Sequence, residues 1–181
     1  MSKFVNAPIQ RHEALVPLSR DHFTGLAHAQ RLIKSAPKDR VSRHKALSGF
    51  IDAWNTEIAA HFDDEERLFL NDLNQADAER LLSEHTEIRA LADEAKELKH
   101  SVDPNPQRVE HIGRTLNDHI RWEERELFGR IEKSLSEEQL KAMAQDTARI
   151  EATRARFTNK SESPGSQQSD TTSNHNDCES T

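Results

Sequence analysis

At 181 residues, 34% of them hydrophobic and 31% charged, the chain is the right size for one domain and a polar extension. Its formal charge of −7 argues against a nucleic-acid-binding surface, which needs clustered Lys and Arg. No apolar run is long enough to span a bilayer, and five glycines with no tyrosine argue for amphipathic helices over a sheet protein full of tight turns.

The elements follow in chain order. Leu15, Leu18, His22, Leu26, Ala29 and Ile33 recur at three- and four-residue steps, which predicts one face of a helix. Pro17 falls early in that run, where a missing N–H costs least. The segment 36–39 (Ala-Pro-Lys-Asp) breaks the pattern. A second helix is predicted over 41–70, with Leu47, Phe50, Trp54, Ile58, His61, Glu65 and Leu68 inward. A third runs over 76–99 on Leu81, Leu82, His85, Ile88 and Leu91, and Lys96, Lys99 and His100 suit its C-terminus. A fourth spans 107–131 on Ile112, Leu116, His119, Glu123 and Leu127. Ser136 with Gln139 reads as a capping box that opens a shorter fifth helix ending near Phe157. The remaining stretch, 158–181, has too little apolar surface to offset its ordering entropy and is expected to be disordered. The expected fold is all-α: an up-down-up-down four-helix bundle over 1–157 with an additional C-terminal helix. The N-terminus lacks the apolar core of a secretory signal. The single cysteine, Cys178, allows no internal disulfide, so a cytoplasmic location is expected.

Ten histidines stand out. Two segments resemble each other: His61-Phe-Asp-Asp-Glu65-Glu-Arg and His119-Ile-Arg-Trp-Glu123-Glu-Arg, each followed closely by Leu-Phe. Side chains four apart on a helix stand one above the other, so each His and its Glu point at the same spot on the apolar face. A buried His–Glu pair is costly unless something compensates it, and a cation does. His22 and His85 supply one inward imidazole from each of the other two helices. Four imidazoles and two carboxylates can hold two ions, each on two His, with Glu65 and Glu123 bridging. Such mixed ligands suit iron, zinc or manganese better than calcium or copper(I).

Distances along the helices match within ~3 Å for His61 with His85 and for His85 with His119, but differ by ~9 Å for His22 with His61. That requires a later start to the second helix or a longer first crossing. Glu66 and Glu124 are read as pointing sideways toward partners of the ligands. Asp21, Glu84 and Asp118 each precede a candidate ligand but are unassigned, because sequence neighbours face different ways on a helix. His28 is expected to be exposed, and His12, His44, His100 and His111 to lie at the surface or helix ends. Trp54 and Trp122 read as core. Arg89, one turn after His85, is either a rim ion pair or a cation held near the metals.

The run Leu18-Ser-Arg-Asp-His22, the His61…Glu65 motif, Glu84-His85 and the His119…Glu123 motif together resemble the hemerythrin-like, or HHE cation-binding, proteins over about residues 15–130. The resemblance implies two non-haem iron ions joined by an oxo or hydroxo bridge on His22, His61, Glu65, His85, His119 and Glu123. The implied partner is a small molecule such as dioxygen, nitric oxide or peroxide, in a stress response or the repair of iron centres. An iron or oxygen sensor, or a metal store acting through a protein partner, is the alternative. Two features depart from the oxygen carriers. Arg89 stands where they have a further His. Glu124 matches their acid five residues after the last His, whereas Glu123 repeats the His61–Glu65 spacing and is preferred here. The His-then-Glu order at a spacing of four also differs from the Glu-x-x-His pairs of ferritin-like bundles. No catalytic residue is assigned.

Overall fold

Apolar residues at three- and four-residue steps become helix along most of the chain. The computed structural model describes residues 10–161, with side chains to residue 154. Helix α1 (Val16–Ser35) carries Pro17 in its first turn, as expected. Helix α2 (Arg40–Ala53) runs into a five-residue π turn (Trp54–Ile58) and on into α3 (Ala59–Phe69). Helix α4 spans Gln75–His100. Helix α5 (Pro106–Trp122) meets a second π turn (Glu123–Leu127) and continues as α6 (Phe128–Ser134), and α7 (Glu137–Ser161) completes the described chain. None of these helices is long and apolar enough to cross a membrane.

The helix starts are written in the sequence. Asp39, Asn74 and Asn105 each accept a hydrogen bond from a backbone N–H three residues on. A cap of this kind contributes about 1 kcal/mol. Ser136 and Gln139 form the expected reciprocal box, the Gln139 side chain accepting from the Ser136 N–H at 2.9 Å and the Ser136 hydroxyl from the Gln139 N–H at 3.3 Å.

Several expectations need correction. The second and fourth helices are not continuous α-helices; each contains a π turn. Helix α2 starts at Arg40, so a later start does not explain the surplus of residues before His61; the extra residue packed into the first π turn takes up part of it. Leu82 is 40% exposed rather than inward, because Leu81 beside it takes the buried face. Helix α7 runs on to Ser161, past the expected end at Phe157, and so occupies the first residues assigned to the tail. The rest of that tail, with His175 and Cys178, lies outside the described residues.

Helix α1 packs against α2 and α5, α4 packs against α2, α3 and α5, and α7 touches α1 and α3. The buried apolar side chains form two clusters. One gathers Leu32, Leu47, Phe50, Ile88, Val109 and Leu116. The other gathers Leu15, Leu18, Phe69, Leu81, Phe128 and Ile131, with Met143 from α7. Helix α1 passes from the second cluster to the first, the α2–α3 segment from the first to the second, α4 back again, and the α5–α6 segment returns. The histidines and glutamates singled out by sequence lie on these segments between the clusters. His22 stacks on Phe128 of one cluster and His85 on Phe62 of the other.

Close approach of α1 and α5 depends on Gly113. A Cβ there would meet the Ala29 carbonyl oxygen at 2.7 Å and Leu32 Cβ at 3.0 Å. Gly129, in α6, has nothing within 4 Å of such a position. Gly113→Ala is therefore expected to destabilise the fold by about 1–3 kcal/mol, and Gly129→Ala to stabilise it by about 0.5–1 kcal/mol. Denaturant midpoints of the two variants, measured at equal metal content, check the opposite signs.

Candidate metal centre

The chain brings its six sequence-predicted ligands to one place. His22 comes from α1, His61 and Glu65 from α3, His85 from α4 and His119 from the last turn of α5, while Glu123 opens the second π turn. None is more than 4% exposed. The Glu123 N–H still donates to the His119 carbonyl, which keeps the pair one α-turn apart. The extra residue enters only afterwards, where the Phe128 N–H reaches the Glu123 carbonyl. Leu127 and Phe128, which follow, are both buried beside the site. Turns of this kind occur often at functional sites.

The carboxylates lie between the imidazoles and divide their oxygens. Glu65 Oε1 is 3.2 Å from His61 Nε2 and 3.4 Å from His22 Nε2, while its Oε2 is 3.6 Å from His85 Nε2. Glu123 Oε1 is 3.2 Å from His119 Nε2 and 3.8 Å from His85 Nε2, while its Oε2 is 3.1 Å from His22 Nε2. None of these eight inward atoms has a hydrogen-bond partner. Donor atoms of Glu65, His85, His119 and Glu123 lie within 4.8 Å of one another, as do those of His22, His61 and Glu65. An uncompensated buried carboxylate costs several kcal/mol, so this set of orphaned donors fits bound cations.

The outer ring nitrogens face carboxylates. The Nδ1 of His22 is 2.7 Å from Glu124, that of His85 2.8 Å from Glu66, and that of His119 2.8 Å from Glu84. For His61 the partner is Asp21, at 3.6 Å. An Nδ1–H donated outward fixes the ring and turns the Nε2 lone pair inward, the arrangement a ligating histidine usually has. Glu124 is thus a partner of His22, and Glu123 occupies the inner position. Each outer carboxylate also meets an arginine: Arg11 on Glu124 at 3.0 Å, Arg154 on Asp21 at 2.6 Å, Arg89 on Glu66 at 2.8 Å and Arg80 on Glu84 at 2.7 Å.

Glu66 and Glu124 behave as the sequence implied. Asp21 and Glu84, left unassigned, do not serve the histidines beside them; each reaches a histidine on another helix. Asp118, in the same sequence position before His119, is exposed and serves none of the four histidines. Arg89 makes ion pairs with Glu66 and Asp63, and so holds the carboxylate that stands behind His85. His28 is half-buried, not exposed. Trp54 and Trp122 lie in the core as expected.

An all-helical chain with a buried cluster of imidazoles and carboxylates defines a cation-binding protein. A family model, the hemerythrin HHE cation binding domain, matches residues 12–131. The chain belongs to this family. Searches of curated proteins and of solved structures returned no significant match.

In the ion-free protein the cluster settles its own charge. Burial opposes the charged form of His61, but Glu65 and Asp21 outweigh it and hold the group at about 9. Burial likewise opposes charge on His119, which Glu123 and Glu84 hold at about 9. Burial pushes the Glu65 carboxyl up, yet His61, His22 and His85 carry it well below the usual range. Burial and the Glu65 charge oppose ionisation of Glu123, which His119 and His22 nevertheless keep strongly ionised. The raised imidazoles contribute stability that is fully present below their ordinary value of 6.5 and is lost as pH rises through about 9. The lowered carboxylates contribute above their ordinary value of 4.5 and lose that as pH falls through their folded-state values. With chelator present, the melting temperature should therefore peak between about pH 4.5 and 6.5 and decline toward pH 9. A melting temperature that stays flat up to pH 9 would contradict this charge pattern.

Proposed function

We propose that this protein is a non-haem di-iron protein, an up-down-up-down four-helix bundle whose six buried ligands hold two irons and admit a small ligand such as dioxygen, nitric oxide or peroxide. The observation that carries the reading is the division of carboxylate oxygens between the two imidazole pairs. One ion would be held by His22 and His61 and the other by His85 and His119, with Glu65 and Glu123 shared between them. The bundle topology is supported by the alternating order in which successive long segments cross the two apolar clusters. Mixed imidazole and carboxylate donors suit iron among the common metals, and the family is a cation-binding one.

Two irons held there would supply redox chemistry toward a small molecule. The residues do the rest. Phe62 and Phe128 cover the imidazoles and exclude bulk water. The outer carboxylates hold the Nδ1 protons away from the centre. A pocket of about 10 Å³, lined by Gly25, Ile58, Phe62 and Ile120 among others, touches His22 and His61. That is about the least space that holds one water molecule, which restricts the ligand to a very small one. The larger groove between α3 and α7 reaches none of the six ligands.

A second reading, an iron or oxygen sensor acting through a protein partner, is favoured by one feature. The ligands come from α1, α3, α4 and the α5–π segment, so ion loss removes the compensation that holds all of these together. A sensor shows a large change in protease resistance on iron loss and no turnover with dioxygen or peroxide.

Elemental analysis of protein expressed with ample iron is expected to find two irons per chain, and the His61→Ala, His119→Ala double variant to lose them. Iron-free protein, or iron that the variant retains, removes the basis of the proposal. Because His61 and His119 sit at about 9 in the ion-free centre, loading at pH 7.5 must expel their protons. Proton release in weakly buffered solution should be clear at pH 7.5 and fade above about pH 9.

A further inference from the structure

We infer that α7 is a working part of the centre: through Arg154 it positions Asp21 behind His61, and so sets how tightly the His22–His61 half holds its ion. This rests on the di-iron reading above.

The four outer arms are alike in plan and unequal in detail. Three end in a glutamate 2.7–2.8 Å from the imidazole. The fourth ends in the shorter Asp21, and its Oδ2 stands 3.6 Å from His61 Nδ1, beyond hydrogen-bond reach. That same oxygen accepts a hydrogen bond from Arg154 at 2.6 Å. The other nitrogen of the Arg154 guanidinium bonds Asp64, which lies one turn beyond His61 on α3. One cation thus ties the helix that carries His22 to the helix that carries His61, and holds together two carboxylates that would otherwise repel.

The origin of the arginines differs too. Arg80 and Arg89 stand on α4 inside the family-matched segment, and Arg11 adjoins its first residue. Arg154 stands far beyond the last matched residue, on a helix the family domain does not include. Helix α7 is seated by Met143 in the second apolar cluster and by the Thr147 hydroxyl, which donates to the Ala14 carbonyl at 3.1 Å. Any change in that seating reaches Asp21 through Arg154. The small pocket lies on the same side, and Asp21, His22 and His61 all line it.

A positioning role through Asp21 predicts a selective effect, because only one of the two ions rests on His61. The test measures iron content and the rate at which each iron passes to a chelator, with circular dichroism as the folding control. Loss of a partner behind a ligating histidine typically weakens metal binding by 10–100-fold. Arg154→Gln should therefore speed the loss of one iron by about tenfold and leave the other unchanged. Arg154→Lys should restore most of the difference, and Arg149→Gln, an exposed position on the same helix, should change neither rate. In an Asp21→Asn background, Arg154→Gln should add nothing.

Unchanged rates, equal acceleration of both irons, or full additivity with Asp21→Asn would each overturn the inference. Should Arg154→Gln fail to fold, Asp21→Asn alone must speed the loss of one iron, and its failure to do so overturns the inference equally. Wild-type protein without iron would instead sink the di-iron reading itself, and this one with it.

Discussion

Glu65 and Glu123 are fully buried, each with three or more imidazoles within a few ångströms, His22 and His85 being near both. Burying one carboxylate without compensation costs several kcal/mol, a large share of the 5–15 kcal/mol that typically holds a domain together. The rest of the interior is arranged around this constraint. Four imidazoles surround the pair, three outer carboxylates hydrogen-bond imidazoles while Asp21 faces the fourth at 3.6 Å, and an arginine meets each outer carboxylate. Two of those arginines, Arg89 and Arg154, also bind a further carboxylate, Asp63 and Asp64.

The helices accommodate this polar layer by keeping it thin. Apolar clusters lie on both sides of it, and aromatic rings from each cluster stack on its imidazoles. Both π turns sit close to the layer, one just before His61 and one beginning at Glu123. An extra residue at these points turns the following helix, and Phe62 beside His61, and Leu127 with Phe128 after Glu123, are all buried.

The outer shell extends the centre into parts of the chain remote from it in sequence. Arg11 and Arg154 reach it from before the first helix and from the last. Helix α7 is tied to the outer shell through Arg154, although none of its described side chains lies among the inner imidazoles and carboxylates.

By itself the sequence determined where the helices lie, one capping box and the His-Glu pairs that share a helix face. Those features depend on residues within one or two turns of each other: Ser136 with Gln139, His61 with Glu65 and His119 with Glu123. The π turns were hidden, because one added residue leaves the three- and four-residue apolar spacing intact. Only the tertiary structure decided which carboxylate serves which imidazole. Glu84 adjoins His85 yet holds His119, and Asp21 adjoins His22 yet faces His61. Consecutive side chains on a helix diverge by about 100°, so a residue beside a ligand points toward a neighbouring helix, and which helix stands there is a matter of packing. Arg89 and Arg154 follow the same rule: their roles were set by the carboxylates that the fold brought to them.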